Sequence, residues 1–201
     1  KTVQSGLMVG IKLRDYQEKA VRAALKEFKK NDSTLLVLPT GSGKSIVLGE
    51  VIRRAVKNYD RLRVLVLCHV KELIEQDQEA LLEVWEDCST SGIYCAGLNK
   101  KENTQILFAS IGSFYKKGFD FEPFDLVIID EVHMVNTKKM GMYRELLADL
   151  KTNMPDLKLL GLTATPFRLG SGVLTQGRDS LFNTICHETG IKELTDKGYL
   201  S

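Results

Sequence analysis

The segment Leu38-Pro39-Thr40-Gly41-Ser42-Gly43-Lys44-Ser45 joins two runs of different character. Residues 34–38 are typical of a short buried strand, and the apolar residues between 46 and 56 recur at helical spacing. The glycines therefore fall in a strand-to-helix turn, where backbone N–H groups and the positive end of a helix attract an anion. This segment predicts a phosphate-binding loop.

The residues of this loop have distinct chemical uses. Gly41 and Gly43 permit positive φ and a close approach of the backbone to phosphate. Lys44 would reach the β- and γ-phosphates of a nucleotide, and the Ser45 hydroxyl would bind Mg²⁺. The consensus for such loops has glycine where this chain has Leu38. A plain glycine–serine turn is the alternative, but Gly-Lys-Ser in this context favours the nucleotide.

The composition is that of an ordinary globular domain. The 201 residues are 43% hydrophobic and 27% charged, with a net charge of +2. No apolar run approaches the roughly 20 residues that span a bilayer, and no signal peptide is visible, so we expect a cytoplasmic protein without a membrane partner. The four cysteines lack metal-ligand spacing, and Cys68 in a strand-like run predicts a buried free thiol. The chain begins at Lys1, which suggests a piece of something longer.

Short apolar runs alternate with helical patterns along the chain. Such alternation predicts a three-layer α/β fold, with a mainly parallel sheet covered on both faces and functional loops at the carboxyl ends of its strands. A glycine-rich stretch from Gly170 to Gly177 predicts a flexible loop. Further strands are predicted at 63–68, 105–109, 125–129 and 158–162, and helices at 21–28, after the second strand, and at 143–150.

The helix predicted after the second strand is acidic. We expect its carboxylates to form a solvated face that points away from any polyanion. They are Glu72, Glu75, Asp77, Glu79, Glu83, Glu86 and Asp87.

Asp130-Glu131-Val132-His133 directly follows the apolar run 126–129. A carboxylate at a strand end can hold Mg²⁺ through water, while its neighbour orients and deprotonates an attacking water. We assign the metal to Asp130 and the base to Glu131. An acidic pair that only caps the next helix is the alternative, but the phosphate loop earlier in the chain favours catalysis.

Two further polar segments are informative only together with these motifs. Leu162-Thr163-Ala164-Thr165-Pro166 follows the last predicted strand, so its hydroxyls would share an edge with the carboxylates. In isolation, such a pentapeptide is more often a Ser/Thr turn closed by proline. Gln17 precedes the first predicted helix and could read a base edge, since its amide both donates and accepts hydrogen bonds. Taken alone, Gln17 is a surface residue near a helix start.

Taken together, these motifs resemble the first RecA-like motor domain of superfamily 2 helicases and translocases. The matching segments are Arg14–Gln17, Gly41–Ser45, Asp130–His133 and Thr163–Thr165, in the family's order and spacing. Within the superfamily the sequence looks like the DExH group, and most like the bacterial DNA-repair ATPases of the RadD type. The segments Leu67–Leu73 and Cys95–Leu98 support that closer likeness less specifically. The resemblance covers nearly the whole chain.

The resemblance implies a role for each matching residue. Gln17, with Arg14 nearby, would select adenine, and the loop from Thr40 through Gly41, Ser42 and Gly43 to Lys44 and Ser45 would hold ATP and Mg²⁺. Asp130 and Glu131 would support hydrolysis. His133, Thr163 and Thr165 would couple the nucleotide state to the grip on nucleic acid. His69, Lys71, Ser110 and Ser113 match positions that touch the phosphate backbone, although strand ends present polar residues in any case.

The resemblance also implies a second RecA-like domain, which supplies an arginine that stabilises the transferred phosphoryl group. Such an arginine is worth about 10³–10⁵ in rate in related NTPases. The sequence therefore predicts the ATP-binding half of a nucleic-acid motor, with DNA favoured over RNA, that is nearly inactive in isolation. The alternatives are a P-loop NTPase that moves protein, an RNA-directed helicase, and a nucleic-acid-binding module with a vestigial nucleotide fold.

Overall fold

The computed structural model describes residues 11–135, 137–168, 172–176 and 180–200. In chain order its helices are α1 (Asp15–Glu27), α2 (Lys44–Asn58), α3 (Lys71–Val84), α4 (Ile111–Phe114), α5 (Thr137–Asn153) and α6 (Ile191–Asp196). The strands are β1 (Ser33–Val37), β2 (Val64–Cys68), β3 (Ser91–Cys95), β4 (Lys100–Lys101), β5 (Ile106–Ser110), β6 (Leu126–Ile129), β7 (Lys158–Thr163), β8 (Phe167–Arg168), β9 (Gly172–Val173) and β10 (Thr184–Glu188). Short 3₁₀ helices span Ala96–Leu98 and Val132–Met134.

Eight of the strands form one sheet in the order β10-β1-β7-β6-β2-β5-β3-β4. All neighbouring pairs are parallel except β3 and β4, which are antiparallel. Strand β7 therefore lies between β1 and β6, and the carboxyl ends of these three strands meet at one edge. The phosphate loop, the Thr163 segment and the Asp130–Glu131 pair follow those ends.

Alternating side chains of the sheet enter two separate cores, which gives the three-layer α/β fold that the sequence predicts. On one face Leu36, Val64 and Val66 pack with residues of α1, α2, α3 and α6. On the other face Leu35 and Leu65 pack with residues of α4 and α5. Both faces of the central strands are thus buried, which explains why their sequences are continuously apolar rather than alternating.

Helices α1 and α2 are joined by a cluster of charges. Arg54 contacts Glu18 at 2.7 Å and Glu50 at 2.6 Å, and Arg53 contacts Glu50 at 2.6 Å. Hydrogen bonds from Arg54 and Arg22 lower the pKa of Glu18 to about 2, so this carboxylate is ionised at neutral pH. The cluster holds the first turn of α1, which contains Glu18, beside the middle of α2.

The predicted strands and helices of the central sheet are present, with boundaries that differ by a few residues. Helix α1 begins at Asp15 rather than Val21, because Tyr16 and Gln17 are buried on the same face as Ala20. Strands β3 and β10 were not predicted. Both lie towards the margins of the sheet and are only partly buried, so they lack the continuous apolar run of a central strand.

Two other expectations concern the glycine-rich loop and membrane-spanning segments. The predicted loop from Gly170 to Gly177 lies partly outside the described residues, and within it β9 pairs with β8. Among the described helices, none is both long enough and apolar enough to cross a membrane.

We expect Gly161→Ala to destabilise the fold by about 1–3 kcal/mol, because overpacking a filled core forces its neighbours apart. A Cβ on Gly161 in β7 would lie 2.5 Å from Phe182 Cζ and 2.7 Å from Leu35 Cδ2. Urea unfolding measures the change. Gly112→Ala in α4 is the matched control, since a Cβ there meets nothing within 4 Å. Equal stabilities of the two variants would contradict this account of the β7 packing.

Candidate active site

The phosphate loop has the backbone conformation that its glycines predict. Gly41 has φ 79° and Gly43 has φ 77°, both in the left-handed region. A Cβ on Gly43 would lie 2.6 Å from the Gln17 amide nitrogen and would displace this side chain from the loop, while the positive φ itself favours glycine. Thr40 is exposed at the rim of the loop, whereas Ser42 is fully buried.

Lys44 and Glu131 meet across the sheet edge. Lys44 Nζ lies 2.9 Å from Glu131 Oε1, and the two side chains are 9% and 20% exposed. Lys44 opens α2 after β1, and Glu131 follows β6, so the strand order brings these distant positions together. An ion pair this shielded from water is stronger than a surface pair.

Asp130 lies deeper than its neighbour and is only 4% exposed. Burial, and then the charges of Asp77 and Glu131, raise the pKa of Asp130 well above its usual value, while Lys44 opposes the rise. The site thus concentrates carboxylates around one ammonium group. That arrangement suits a divalent cation, which would balance the excess negative charge.

Glu131 adopts an unusual backbone conformation for a residue other than glycine, with φ 49°. A left-handed conformation of this kind costs free energy and is found preferentially at functional sites. Its consequence here is geometric, since the turn directs Asp130 inward and Glu131 towards Lys44 and His133. The Glu131 Oε2 atom lies 3.3 Å from His133 Nδ1.

His133 connects the acidic pair to the Thr163 segment. Its Nδ1 lies 3.0 Å from Thr163 Oγ1, and that hydroxyl donates to the Thr165 carbonyl at 2.7 Å. Because the single hydroxyl proton is committed to Thr165, Thr163 must accept from His133, which assigns the ring proton to Nδ1. Burial lowers the pKa of His133, which favours the neutral ring. The Thr165 hydroxyl donates to the Phe167 carbonyl and is therefore part of the same chain of contacts.

Gln17 is bound to the phosphate loop itself. Its amide donates to the Ser42 carbonyl at 3.0 Å and its oxygen accepts from the Arg14 backbone N–H at 2.9 Å. The Tyr16 hydroxyl donates to the same Ser42 carbonyl at 2.6 Å, and the Arg14 guanidinium lies 5.1 Å from the Tyr199 ring. In this conformation Gln17 supports the loop, and a base would have to compete with these partners for its amide.

Asp77 is a site residue that the sequence interpretation placed wrongly. It was expected on a solvated acidic face, but it is fully buried, and Cys68 Sγ donates to its Oδ2 at 3.3 Å. Burial raises its pKa to about 6, although hydrogen bonding from Ser45 and Cys68 opposes the rise. The signal was available, because Asp77 falls on the same helical stripe as the buried Ile74 and Leu81.

The expected orientation of the acidic helix also needs correction. Glu79 and Glu83 line the cleft beside the phosphate loop instead of facing away from it. The reason is the packing of α3 against α2, which turns this face towards the loop. The cleft has a volume of about 450 Å³ and is lined by residues of the phosphate loop, α3 and the acidic pair.

The residues that the resemblance assigns to nucleic acid follow two neighbouring strands. Cys68 at the end of β2 is in register with Ser110 at the end of β5, so His69 and Ser110 lie near one edge. Ser110 donates to Ser113 Oγ at 2.8 Å, and Ser113 accepts from the Ala96 N–H at 3.0 Å. Lys71 is about half exposed. Ser110 and Ser113 thus bond to each other at the sheet edge that also carries the acidic pair.

The donor set fits a magnesium nucleotide. The left-handed turn at Gly41 and Gly43 leads into the start of α2, whose backbone N–H groups can bind phosphate, and Lys44 adds a positive charge. Ser45 and Asp130 offer oxygen ligands, which hard divalent cations prefer. Two buried oxygens in this region, Ser42 Oγ and Asp77 Oδ1, have no hydrogen-bond partner within the part of the chain that the structure describes. Such atoms are costly unless a ligand completes their contacts.

Comparison with known proteins gives a consistent result. Residues 10–168 match the family model described as "Type III restriction enzyme, res subunit". The DNA 3'-5' translocase XPB2 of Sulfurisphaera tokodaii is 28% identical over 192 residues, which cover 93% of this chain and 38% of that protein. The mouse ATP-dependent RNA helicase DHX58 is 27% identical over 186 residues, which cover 83% of this chain and 26% of that protein. The chain spans well under half the length of these curated relatives.

Solved structures share the fold. The UvsW helicase from bacteriophage T4 superposes with a TM-score of 0.68 at 18% identity, covering 87% of this chain and 60% of that chain. At this level of identity the likeness concerns the architecture. The fold is therefore that of the RecA-like domains of superfamily 2 helicases.

We expect Lys44→Met to reduce the free energy of unfolding by about 1–3 kcal/mol at pH 8, because it leaves buried carboxylates without their cation. The loss should shrink as the pH falls, since the raised pKa values of Asp77 and Asp130 favour their protonation, which removes uncompensated charge. Urea unfolding in a chelator, at pH 8 and at pH 5, measures both effects. The exposed Lys101→Met is the control. A loss independent of pH would contradict the electrostatic explanation.

Proposed function

The chain belongs to the family of type III restriction enzyme res subunits, and from that membership we propose that it is the ATP-binding half of a nucleic-acid-dependent motor. Membership of the family supports the general assignment, which is a helicase-type ATPase domain that uses ATP with Mg²⁺. The finer proposal is that the intact protein translocates on DNA or remodels it. The observation that carries the ATPase assignment is the contact between Lys44 and Glu131 across the mouth of the phosphate loop.

The Lys44–Glu131 pair suggests how nucleotide binding prepares the base. The pair neutralises both groups while they face each other at 2.9 Å. A γ-phosphate competes with Glu131 for the ammonium group, because phosphate carries more negative charge. Glu131 is then released to accept a proton from the water that attacks the γ-phosphate in line. Lys44 remains to neutralise charge on the phosphoryl oxygens.

The other oxygen ligands complete the arrangement. Ser45 would hold Mg²⁺ directly and Asp130 would hold it through water. When bound, the cation neutralises developing charge on the phosphates. Gln17 would select adenine after exchanging its present partners for the base.

His133 and Thr163 are suited to transmit the nucleotide state. Glu131 lies 3.3 Å from His133, which in turn lies 3.0 Å from Thr163 Oγ1. A movement of Glu131 away from Lys44 therefore alters the contacts of the segment that follows β7. We assign the coupling of hydrolysis to nucleic-acid grip to His133, Thr163 and Thr165. His69, Lys71, Ser110 and Ser113 would contact the phosphate backbone.

DNA is the nucleic acid along which we propose that the motor moves. XPB2 is described as a DNA translocase and aligns over 93% of this chain, whereas DHX58, described as an RNA helicase, aligns over 83%. The identities are nearly equal, so RNA is the second candidate. A role in DNA repair, and the closer likeness to RadD-type ATPases of the DExH group, stay predictions.

A second RecA-like domain is part of the proposal. The relatives are much longer than this chain, and the family mechanism requires an arginine from outside the ATP-binding half. ATP would close the two domains over Lys44, and hydrolysis would release them.

We expect Glu131→Gln to abolish turnover while leaving nucleotide binding intact, because the amide keeps the shape of the side chain but accepts no proton. In the protein with both domains the steady-state rate should fall at least about 100-fold. Calorimetry with ADP and MgCl₂ tests binding, and Lys44→Met should weaken that binding itself. The exposed Glu86→Gln is the matched control. A wild-type ATPase rate for Glu131→Gln would contradict the assignment of Glu131 as the general base.

We expect DNA to raise the ATPase rate of the two-domain protein, whereas the isolated chain turns over very slowly because it lacks the outside arginine. The stimulation should fall with added salt, since backbone contacts release counterions. Phosphate release with single-stranded DNA, double-stranded DNA or RNA measures this. Stimulation by RNA alone would indicate an RNA-directed enzyme. Stimulation by neither would indicate a non-nucleic-acid substrate, and brisk turnover by the isolated chain would contradict the two-domain mechanism.

A further inference from the structure

Asp77 is a buried carboxylate that the helicase motifs leave without a role. It lies on α3, outside the phosphate loop and outside the Asp130–Glu131 pair, and it is fully buried. A buried carboxylate is expensive unless hydrogen bonds or opposite charge compensate it. Its position therefore calls for a functional explanation.

Tight packing between α2 and α3 places Asp77 beside the phosphate loop. A Cβ on Gly49 of α2 would lie 2.9 Å from the Ala80 carbonyl oxygen and 3.0 Å from Leu81 Cα of α3. Ser45 precedes Gly49 by four residues, and Asp77 precedes Leu81 by four, so each lies one turn earlier on the contacting face. The close helix approach thus brings Asp77 to the residue that would bind the cation.

The polar surroundings of Asp77 are incomplete. Cys68 Sγ donates to Oδ2 at 3.3 Å, while Oδ1 is buried with no hydrogen-bond partner among the described residues. Ligand atoms of Cys68, Asp77 and Asp130 all lie within 4.8 Å of one another. An unpartnered oxygen at this depth, in a cluster that includes a second carboxylate, indicates a missing positive partner.

The local charge supports the same conclusion. Asp77, Asp130 and Glu131 interact with one another, and Lys44 is the cation that opposes them. Three carboxylates and one ammonium group leave an excess of negative charge, which destabilises the site until a cation enters. When Lys44 binds phosphate, its positive charge no longer compensates these carboxylates, so the excess of negative charge increases.

We propose that Asp77 is a positioning residue of the magnesium site, which orients the Ser45 hydroxyl from behind and adds negative charge that attracts the cation. This inference rests on the proposed function, since it assigns a new residue to the same nucleotide site. Asp77 acts through Ser45 and touches neither phosphate nor the attacking water. Residues that orient metal ligands in this way typically contribute about 10–100-fold to metal affinity.

The test compares cation binding by the wild-type chain and Asp77→Asn. Free Mn²⁺ is followed by electron paramagnetic resonance during titration of each protein saturated with ADP. We expect Asp77→Asn to weaken Mn²⁺ binding about 10–100-fold. The affinity for ADP alone, measured by calorimetry in a chelator, should be unchanged, because Asp77 does not contact the nucleotide.

Thermal unfolding separates this role from a purely structural one. Without cation, Asp77→Asn should be at least as stable as the wild type, because the substitution removes a repulsive charge and keeps the side chain's shape. With Mn²⁺ and ADP, its stabilisation should be smaller, as expected for weaker binding. A structural role predicts lower stability in both conditions and an unchanged Mn²⁺ affinity.

Two further variants sharpen the result. Asp87→Asn, at an exposed position just after α3, is the matched control and should bind Mn²⁺ like the wild type. In a Ser45→Ala background, Asp77→Asn should have a smaller effect than in the wild type, because only the charge of Asp77 then still acts on the cation. Full additivity would contradict action through Ser45.

The outcomes separate this inference from the proposed function. Wild-type Mn²⁺ affinity in Asp77→Asn, with normal binding by the wild-type chain, overturns the role of Asp77 alone. Equal losses of ADP affinity with and without cation also overturn it, since they indicate a general disturbance. Failure of the wild-type chain to bind Mn²⁺ and ADP overturns both.

Discussion

The candidate site depends on one electrostatic constraint, the balance between Lys44 and the carboxylates that surround it. Glu131 lies 2.9 Å from the ammonium group, and Asp130 and Asp77 are buried behind it. When the three carboxylates are ionised, one ammonium group leaves an excess of negative charge, which a divalent cation would balance. This incomplete balance is the feature on which the proposed nucleotide site depends.

The sheet order creates this balance. Strand β7 separates β1 from β6, so the phosphate loop and the acidic pair face each other with the Thr163 segment between them. The contact from Glu131 through His133 to Thr163 follows the same edge. The proposed site of nucleotide hydrolysis is thus connected by one series of short contacts to the residues that we propose transmit its effect to nucleic acid. The two apolar cores pack against both faces of the sheet and so fix the positions of the residues that make these contacts.

Helix packing fixes the residues that lie on either side of the phosphate loop. The charge cluster between α1 and α2 holds Gln17 against the Ser42 carbonyl, while Gly49 allows α3 to approach α2 closely. Each contact constrains one side of the phosphate loop. Gln17 donates its amide to this support, so the adenine selection that we propose for it would require an exchange of hydrogen bonds. Asp77 occupies the opposite side.

The sequence by itself determined the fold class, the central strands and the residues of the phosphate loop. Continuous apolar runs, glycines before Gly-Lys-Ser and an acidic pair after a strand are local signals, readable without neighbours. Tertiary structure decided the burial of Asp77 and the present partners of Gln17, because both depend on which helix faces meet. It also decided the margins of the sheet, since β3 and β10 gain their pairing from neighbouring strands rather than from their own apolar content.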